Sequence, residues 1–144
     1  MVSSFIKKYK YEILSGAITL ICASIVFYFS KLRFSTDDQF IIFRYVNNII
    51  SGHGFVYNIG ERVLGSTTPL YTLLLALIKR VFSSISIPDI AGYTNIILFS
   101  ISGVFFYKIS QIFFSKNLSI LAILVFALTL SKTIQEGMET PCLF

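Results

Sequence analysis

Most of the apolar residues of this chain are gathered into long uncharged runs. Residues 13–30 and 90–107 contain no charged side chain, and residues 118–131 form a shorter run of the same kind. About 18 residues in a helix extend about 27 Å, which is close to the hydrocarbon thickness of a bilayer. The pattern therefore predicts three membrane-spanning helices.

The first run has a secretory signal peptide as its alternative interpretation. Such peptides have a shorter apolar region that ends in small residues before the cleavage site. Here the run ends in Phe27, Tyr28, Phe29 and Ser30, so an uncleaved helix is expected. Lysines precede this run and a long polar segment follows it, which predicts that the N-terminus lies in the cytoplasm.

The apolar run at residues 69–78 is followed by Lys79 and Arg80, and it is too short to cross a bilayer comfortably. We expect an interfacial helix at about residues 69–82. The alternative is a further crossing, in which apolar residues after Arg80 extend the helix and the two cations snorkel to the surface.

A second interfacial helix is predicted at about residues 37–51, where Thr36 and Gln39 have capping-box spacing. Its polar and apolar residues fall on opposite faces. The polar face contains Asp37, Arg44, Asn48 and Ser51, and the apolar face contains Ile42, Phe43, Val46, Ile49 and Ile50. We expect this helix at the membrane surface, with its apolar side in the acyl boundary and Asp37 and Asp38 at the water–lipid interface.

Several of these polar residues also have a purely structural interpretation. First-turn carboxylates such as Asp37 and Asp38 interact favourably with the helix dipole. Arg44 can pair with Asp37 or bind an anion, and Tyr45 in such a helix is more often an interfacial anchor than a ligand. The local pattern alone leaves these alternatives open.

Three glycines, at positions 52, 54 and 60, mark tight turns in the following segment. Turn chemistry accounts for His53 and Asn58 as well as a binding site does. Thr68 has the place of an N-cap and Pro69 that of the first helical residue. The N–H groups at such a helix start can hold a phosphate, or the helix is simply capped.

Composition favours a membrane protein over a soluble or nucleic-acid-binding one. Of the 144 residues, 55% are hydrophobic and 13% are charged, and the mean hydropathy is +0.78. A soluble domain is usually about a quarter charged. The net charge of +5 fits attraction to anionic lipid or phosphate, and no basic stripe interleaved with aromatics indicates nucleic acid. Cys22 and Cys142 imply no disulfide framework, and the lone His53 has no partner for zinc.

Two ordered motifs resemble the first external loop of the GT-C fold glycosyltransferases. They read Asp37-Asp38-x-Phe40-Ile41-x-x-Arg44-Tyr45-x-x-Asn48 and Gly52-x-Gly54-x-Val56-Tyr57-Asn58-x-Gly60-Glu61-x-Val63-x-Gly65-x-Thr67-x-Pro69-Leu70. The chain is similar to the branch that contains the mycobacterial terminal arabinofuranosyltransferases and their bacterial relatives. That branch also carries a Gly-Leu-Glu-Thr or Gly-Met-Glu-Thr element after a membrane helix, matched here by Gly137-Met138-Glu139-Thr140.

The resemblance implies a glycosyltransferase of the bacterial inner membrane with its active site on the external side. Such an enzyme transfers a sugar, with inversion, from a polyprenyl-phosphate donor to a cell-envelope glycan or glycolipid. Asp37 or Asp38 would be the general base on the acceptor hydroxyl. The residues expected to bind donor phosphate or substrate are Arg44, Tyr45, Asn48, His53, Asn58, Glu61, Arg62, Thr67 and Glu139. A divalent cation, Mg²⁺ or Mn²⁺, is a further possibility, with Asp38 and Glu139 as its ligands.

Family members are several hundred residues long, so residues 1–144 are expected to form one partial transmembrane domain. This domain would be the N-terminal part of an all-α, polytopic GT-C helix bundle, with an external catalytic loop at about residues 31–89. Activity of this part alone is not expected. Asp37 and Glu139 share a side of the membrane only if residues 69–87 do not cross it, which favours the interfacial helix.

Two other functions fit parts of the pattern. A transporter fragment would carry ionisable residues within its spans, and the central residues of the three predicted spans are uncharged. A non-catalytic membrane remnant or adaptor protein would explain the length, but it gives no reason for the polar pattern of the loop. The bilayer is a partner in every case, whereas the sugar and the acceptor are left open by these residues.

Overall fold

The computed structural model describes residues 9–30, 37–61 and 65–131, and within these ranges the chain is helical, with no strand. We name the helices α1 (Lys10–Ser30), α2 (Asp37–Ile50), α3 (Pro69–Val81), α4 (Ile87–Phe113) and α5 (Lys116–Leu130). The predicted all-α class is confirmed for these residues. The predicted bounds of the two interfacial helices, 37–51 and 69–82, each differ from the structure by one residue at the C-terminal end.

Two of the described helices, α1 and α4, are long and apolar enough to cross a membrane. Fewer than a third of the residues in either apolar stretch are buried within the protein, which leaves most of their side chains facing outward. Helix α5 is apolar but has only 15 residues, or about 22 Å. The third crossing predicted at residues 118–131 therefore stays a prediction.

Helix α4 is longer than the uncharged run that predicted it. Ser86 caps its N-terminus: the Ser86 hydroxyl accepts from the Asp89 amide at 3.3 Å and donates to the Asp89 carboxylate at 2.7 Å. Pro88 lies in the first turn, where its missing N–H costs nothing. The 27 residues extend about 40 Å, so the helix exceeds the hydrocarbon thickness of about 30 Å.

Helices α1 and α4 pack side by side in antiparallel orientation. At one end the Phe27 and Tyr93 rings lie 5.6 Å apart, and at the other end Tyr11 stacks on Tyr107 at 6.4 Å. The first of these contacts joins the end of α1 to the start of α4. Both helices therefore have an end beside the polar segment that contains α2 and α3.

Glycine allows the close approach of α1 and α4. A Cβ atom at Gly103 would lie 2.5 Å from Cγ2 of Thr19, and one at Gly92 would lie 2.0 Å from the Phe27 ring. Thr19 is completely buried in this contact. Small residues at a helix interface are the usual means by which membrane helices approach each other closely.

Helix α5 completes a three-helix bundle through aromatic stacking. The Phe126 ring stacks on Phe106 at 4.6 Å and on Phe99 at 5.2 Å. Phe99, Phe126, Ala23 and Ile96 form one core cluster of this bundle. The outward faces of the three helices carry exposed large apolar side chains along their length, such as Ile21, Ile101 and Leu121.

A second core cluster joins α2 and α3 to the start of α4. It consists of Ile42, Phe43, Val46, Tyr71, Leu75, Ala76, Ile87, Ile90 and Ala91. The centre of the apolar face of α2 is therefore buried against protein, and the expectation that it lies in the acyl boundary is wrong for Ile42, Phe43 and Val46, whereas Ile50 at the end of this face is exposed. Helix α3 instead presents an outward apolar face, with Leu70, Leu77 and Val81 each more than 60% exposed.

Candidate functional site

The candidate site begins at the first turn of α2. Asp37 is the first helical residue and Asp38 the second, as the pattern predicts. Their side chains lie outside the described part of the structure, as do residues 31–36 before them. Their predicted role as general base is therefore untested.

Helix α2 ends in a Schellman motif at Gly52. The Gly52 amide donates to the Ile49 carbonyl at 3.1 Å, and the His53 amide donates to the Asn48 carbonyl at 2.9 Å. Gly52 has a φ of +82°, which a residue with a Cβ adopts only with strain. This ending turns the chain back, so that residues 55–61 return along the polar face of α2.

Arg44 binds this returning segment at two points. Its Nε donates to the Tyr57 carbonyl at 3.0 Å, and its Nη2 donates to Oδ1 of Asn58 at 3.0 Å. The guanidinium also lies over the Tyr57 ring, 4.6 Å from its centroid. Neither pairing with Asp37 nor an anion is needed to account for the position of Arg44. Its Nη1 makes no hydrogen bond to the described residues, and the side chain remains exposed.

Asn48, one turn further along α2, binds the same segment. Its Nδ2 donates to the Val56 carbonyl at 2.8 Å and to the Tyr57 carbonyl at 2.9 Å. The Tyr57 carbonyl thus accepts from both Arg44 and Asn48. A segment with few hydrogen bonds of its own is in this way fixed to a helix by two side chains.

Asn58 connects Arg44 to a carboxylate. Its side-chain oxygen accepts from Arg44, and its Nδ2 donates to Oε2 of Glu61 at 3.0 Å. The Glu61 amide closes a turn onto the Asn58 carbonyl at 3.2 Å, with Gly60 at a φ of +93°. The side-chain amide of Asn58 therefore links the Arg44 guanidinium to the Glu61 carboxylate, and these two contacts determine the orientation of the amide.

Tyr45 is completely buried, although its pattern favoured an exposed interfacial anchor. Its ring contacts the Phe55 ring at 4.8 Å and the Tyr57 ring at 5.9 Å. Its hydroxyl accepts from the Gly65 amide at 2.8 Å. Tyr45 thus holds both sides of the loop against α2. We refer to Arg44, Tyr45, Asn48, Asn58 and Glu61 together as the loop clamp.

Two other predicted site residues lie outside this cluster. His53 is exposed and takes part through its backbone amide, which favours the turn interpretation of this residue. Thr67 is exposed, and no contact of its side chain joins it to the loop clamp. Thr68 occupies the N-cap of α3 before Pro69, as predicted, yet its hydroxyl makes no capping hydrogen bond.

Arg62 and Glu139 lie outside the described residues, as does Cys142. Among the residues that are described, no group of three or more His, Cys, Asp or Glu side chains is arranged to hold a metal ion. The resemblance suggests Asp38 and Glu139 as metal ligands, and the side chains of both lie outside the described part of the structure. A requirement for Mg²⁺ or Mn²⁺ therefore stays a prediction.

The structure also contains polar contacts that the sequence analysis missed. The Tyr71 hydroxyl donates to Oδ1 of Asn95 at 2.8 Å, and both residues are buried. Ser66 and Thr72 form a second buried pair at 3.2 Å. Asn95 gave a usable signal, because a polar side chain within an apolar span requires a partner. Tyr57 gave none, since its carbonyl rather than its side chain accepts the hydrogen bonds.

The loop clamp lies at one end of the molecule, where α2 and α3 pack on the start of α4. Comparisons with protein-family models, with curated protein sequences and with solved structures gave no match to this chain.

Proposed function

We propose that the chain is part of a membrane glycosyltransferase of the GT-C type, which uses a polyprenyl-phosphate sugar as donor. The acceptor is a cell-envelope glycan or glycolipid, and the membrane is the bacterial plasma membrane. Helices α1, α4 and α5 cross it, while α2 and α3 lie at its external surface. The loop clamp belongs to the substrate-facing side of this enzyme.

One observation supports the proposal. Five of the residues that the motifs single out, on α2 and in the glycine-rich segment, form one contiguous cluster of hydrogen bonds and ring contacts. They are separated by up to 17 positions in sequence, from Arg44 to Glu61. The two motifs thus act as one unit, as residues around a common site must.

The chemistry assigned to this site is a displacement at the anomeric carbon. The acceptor oxygen attacks that carbon while its proton passes to the carboxylate of Asp37. The bond from the carbon to the phosphate oxygen breaks, and polyprenyl phosphate leaves with the electron pair, which inverts the configuration. A cation near the departing phosphate lowers the barrier by stabilising its charge, and the exposed guanidinium of Arg44 is suited to that role.

The decisive experiment compares Asp37→Asn with Asp38→Asn in membranes of cells that express the complete reading frame. We expect Asp37→Asn to lower sugar transfer from a radiolabelled polyprenyl-phosphate donor by about 100-fold or more, because an amide cannot accept the proton. Asp37 is chosen over Asp38 because it shares a helix face with Arg44 and Asn48.

Asp89→Asn is the matched control, because Asp89 is also a first-turn carboxylate and accepts a hydrogen bond from Ser86. A capping role for Asp37 would make its variant as mild as this control. Near-normal transfer by both Asp37→Asn and Asp38→Asn would refute the assignment of the base.

A non-catalytic membrane adaptor is the second candidate, and one observation favours it. The Nε and Nη2 groups of Arg44 and the Nδ2 group of Asn48 all donate to the loop itself, which is what a purely architectural cluster requires. In an adaptor, disruption of the loop would abolish partner binding, while the Asp37→Asn variant would be silent in every assay. The transfer assay therefore distinguishes the two candidates.

A further inference from the structure

Three lysines from three helices lie toward the end of the bundle opposite to the loop clamp. Lys10 begins α1, Lys108 lies near the end of α4, and Lys116 begins α5, and all three are exposed. The ammonium groups of Lys10 and Lys116 lie 5.7 Å and 5.8 Å from the centroid of the Tyr11 ring. Tyr11 in turn stacks on Tyr107, the residue before Lys108.

Among the described residues at this end of the bundle, three lysines are accompanied by one carboxylate, that of Glu12 near Tyr107, which leaves an excess of positive charge. Glu12 is the single acidic residue of α1, α5 has none, and the acid of α4, Asp89, lies at the other end of that helix. None of the three lysines forms an ion pair with a described acid. The Lys10 and Lys116 ammonium groups lie near the same Tyr11 ring and cannot neutralise each other, so this surface favours a negatively charged partner.

The start of α5 adds to this charge. Its N-cap, Ser115, makes no side-chain hydrogen bond to the first-turn amides. Those amides and the positive end of the helix dipole therefore face the same surface as the Lys116 ammonium group. In α3, at the other end of the molecule, Lys79 instead donates to the carbonyls of Ser83 and Ile85 at 2.6 Å each, while Arg80 is exposed.

We propose that Lys10, Tyr11, Lys108 and Lys116, which we call the basic collar, bind the headgroup of an anionic phospholipid. Lysines at the ends of membrane-spanning helices lie next to the lipid headgroups, which are therefore the nearest source of negative charge. Basic residues at the ends of membrane helices attract anionic headgroups in this way. The inference rests on insertion of the bundle in a membrane and is independent of sugar transfer.

The chain contains no tryptophan, so a single introduced tryptophan serves as a local reporter of lipid. Phe113→Trp places it near the basic collar, and Tyr28→Trp places it at the other end of the bundle. The replaced aromatic side chains are 76% and 72% exposed, which makes them a matched pair. The full chain is reconstituted in vesicles of phosphatidylcholine and phosphatidylglycerol, in which one lipid or the other has brominated acyl chains that quench tryptophan fluorescence.

At Phe113→Trp we expect brominated phosphatidylglycerol to quench as if bound about fivefold or more tightly than brominated phosphatidylcholine. At Tyr28→Trp, which Lys31 and Arg33 follow in the sequence, any preference between the two lipids should be unaffected by changes at Lys10, Lys108 and Lys116. Changing Lys10, Lys108 and Lys116 to Gln should abolish the preference at Phe113→Trp while circular dichroism shows unchanged helicity. Equal quenching at Phe113→Trp, or a preference that survives the three substitutions, would overturn the proposal. Absence of quenching by either lipid at both positions would overturn it as well, because the bundle would not be in the membrane.

Discussion

The bundle of α1, α4 and α5 and the loop at residues 51–61 are stabilised by different kinds of contact. Together with α2 and α3, which pack through an apolar cluster, this loop forms a cap on the bundle. In the bundle, helices approach through glycine and stack aromatic rings, as Gly103 against Thr19 and Phe126 against Phe106 show. In the cap, side chains of α2 donate hydrogen bonds to carbonyls of the loop, as Asn48 does to Val56. The stability of the bundle therefore depends on close packing of side chains, whereas the conformation of the loop depends on a few hydrogen bonds.

This difference matters for where function can reside. Apolar packing between helices is tolerant of a membrane environment, because it needs no water and leaves the outward faces to lipid. A loop fixed by side-chain donors can open when a few hydrogen bonds exchange, and such regions are the ones that bind ligands. This difference can be tested by variants in the bundle and by variants in the cap.

The largest effect is expected from labelling across the membrane. In a chain whose Cys22 and Cys142 are replaced by Ala, single cysteines at Ser51, Ser84 and Ser115 should differ in all-or-none fashion. All three serines are exposed. A membrane-impermeant thiol reagent applied from outside should label cysteine at 51 and 84 but not at 115, because in the proposed topology α4 crosses the membrane and α3 does not.

A crossing by α3 gives a different pattern, with labelling at positions 51 and 115 and protection at 84. Labelling at all three positions would show that α4 does not cross either. Lysis of the cells is the control, since each cysteine should then react.

A smaller but substantial effect is expected from Gly103→Ala. The added Cβ would lie 2.5 Å from Cγ2 of Thr19, which is fixed in a branched side chain, so α1 and α4 must separate. We expect a loss of about 1–3 kcal/mol in the free energy of unfolding in detergent. Gly92→Ala should cost less, because the Phe27 ring that it meets lines a groove of about 460 Å³ into which the ring can turn.

The double variant Thr19→Ala with Gly103→Ala tests the cause of this loss. Removal of Cγ2 and Oγ1 relieves the overlap, so most of the stability should return. An unchanged melting temperature for Gly103→Ala alone would mean that the two helices are not in close contact.

In the cap, Asn48→Ala should free the loop without unfolding the bundle. The variant removes the donor to two carbonyls, which we expect to cost about 1–2 kcal/mol of local stability. Limited proteolysis within residues 51–61 should become about tenfold faster, since about 1.4 kcal/mol is a factor of ten in the open population. Asn47→Ala is the matched control, because the Asn47 side chain is exposed and makes no hydrogen bond to the described residues. Equal proteolysis of the two variants would contradict the clamp.

The smallest effect is expected from Tyr45→Phe. The variant keeps the ring contacts with Phe55 and Tyr57 and removes the acceptor for the Gly65 amide. We expect about 1 kcal/mol of local destabilisation, seen as faster hydrogen exchange of the Gly65 amide. Unchanged exchange at Gly65 would show that the hydroxyl does not hold that part of the loop.

The helices were predictable because their signals are local. Uncharged runs indicated α1 and α4, and the interruption at Lys79 indicated the short α3. The extra length of α4 was not predicted, because hydropathy marks the part that lies in lipid, whereas the Ser86 cap and Pro88 determine where the helix begins. The packing of the apolar face of α2 against α3 and α4 was also not predicted, because an apolar helix face looks the same in sequence whether it contacts lipid or another helix.

The candidate site was predicted only as a set of residues. The polar face of α2 was correctly placed for Arg44 and Asn48, but nothing in their spacing showed that Tyr57 would accept from both. Burial of Tyr45 was likewise not predicted, because a tyrosine at the edge of an apolar helix face suits an interface as well as a core. A hydrogen bond to a backbone carbonyl cannot be predicted from the sequence pattern, because every residue has such a carbonyl.

The position of Arg44 has a consequence for any ligand that needs its charge. The Nε and Nη2 edge is one of the two edges of a guanidinium that can bind a carboxylate or phosphate with two parallel hydrogen bonds, and here Tyr57 and Asn58 occupy it. An anion that takes this edge must displace the loop, so anion affinity and loop closure are linked with opposite sign, each weakening the other by the same factor. A variant that loosens the loop would then bind the anion more tightly at this edge, whereas the other edge, formed by Nη1 and the second N–H of Nη2, can accept an anion while the loop stays closed.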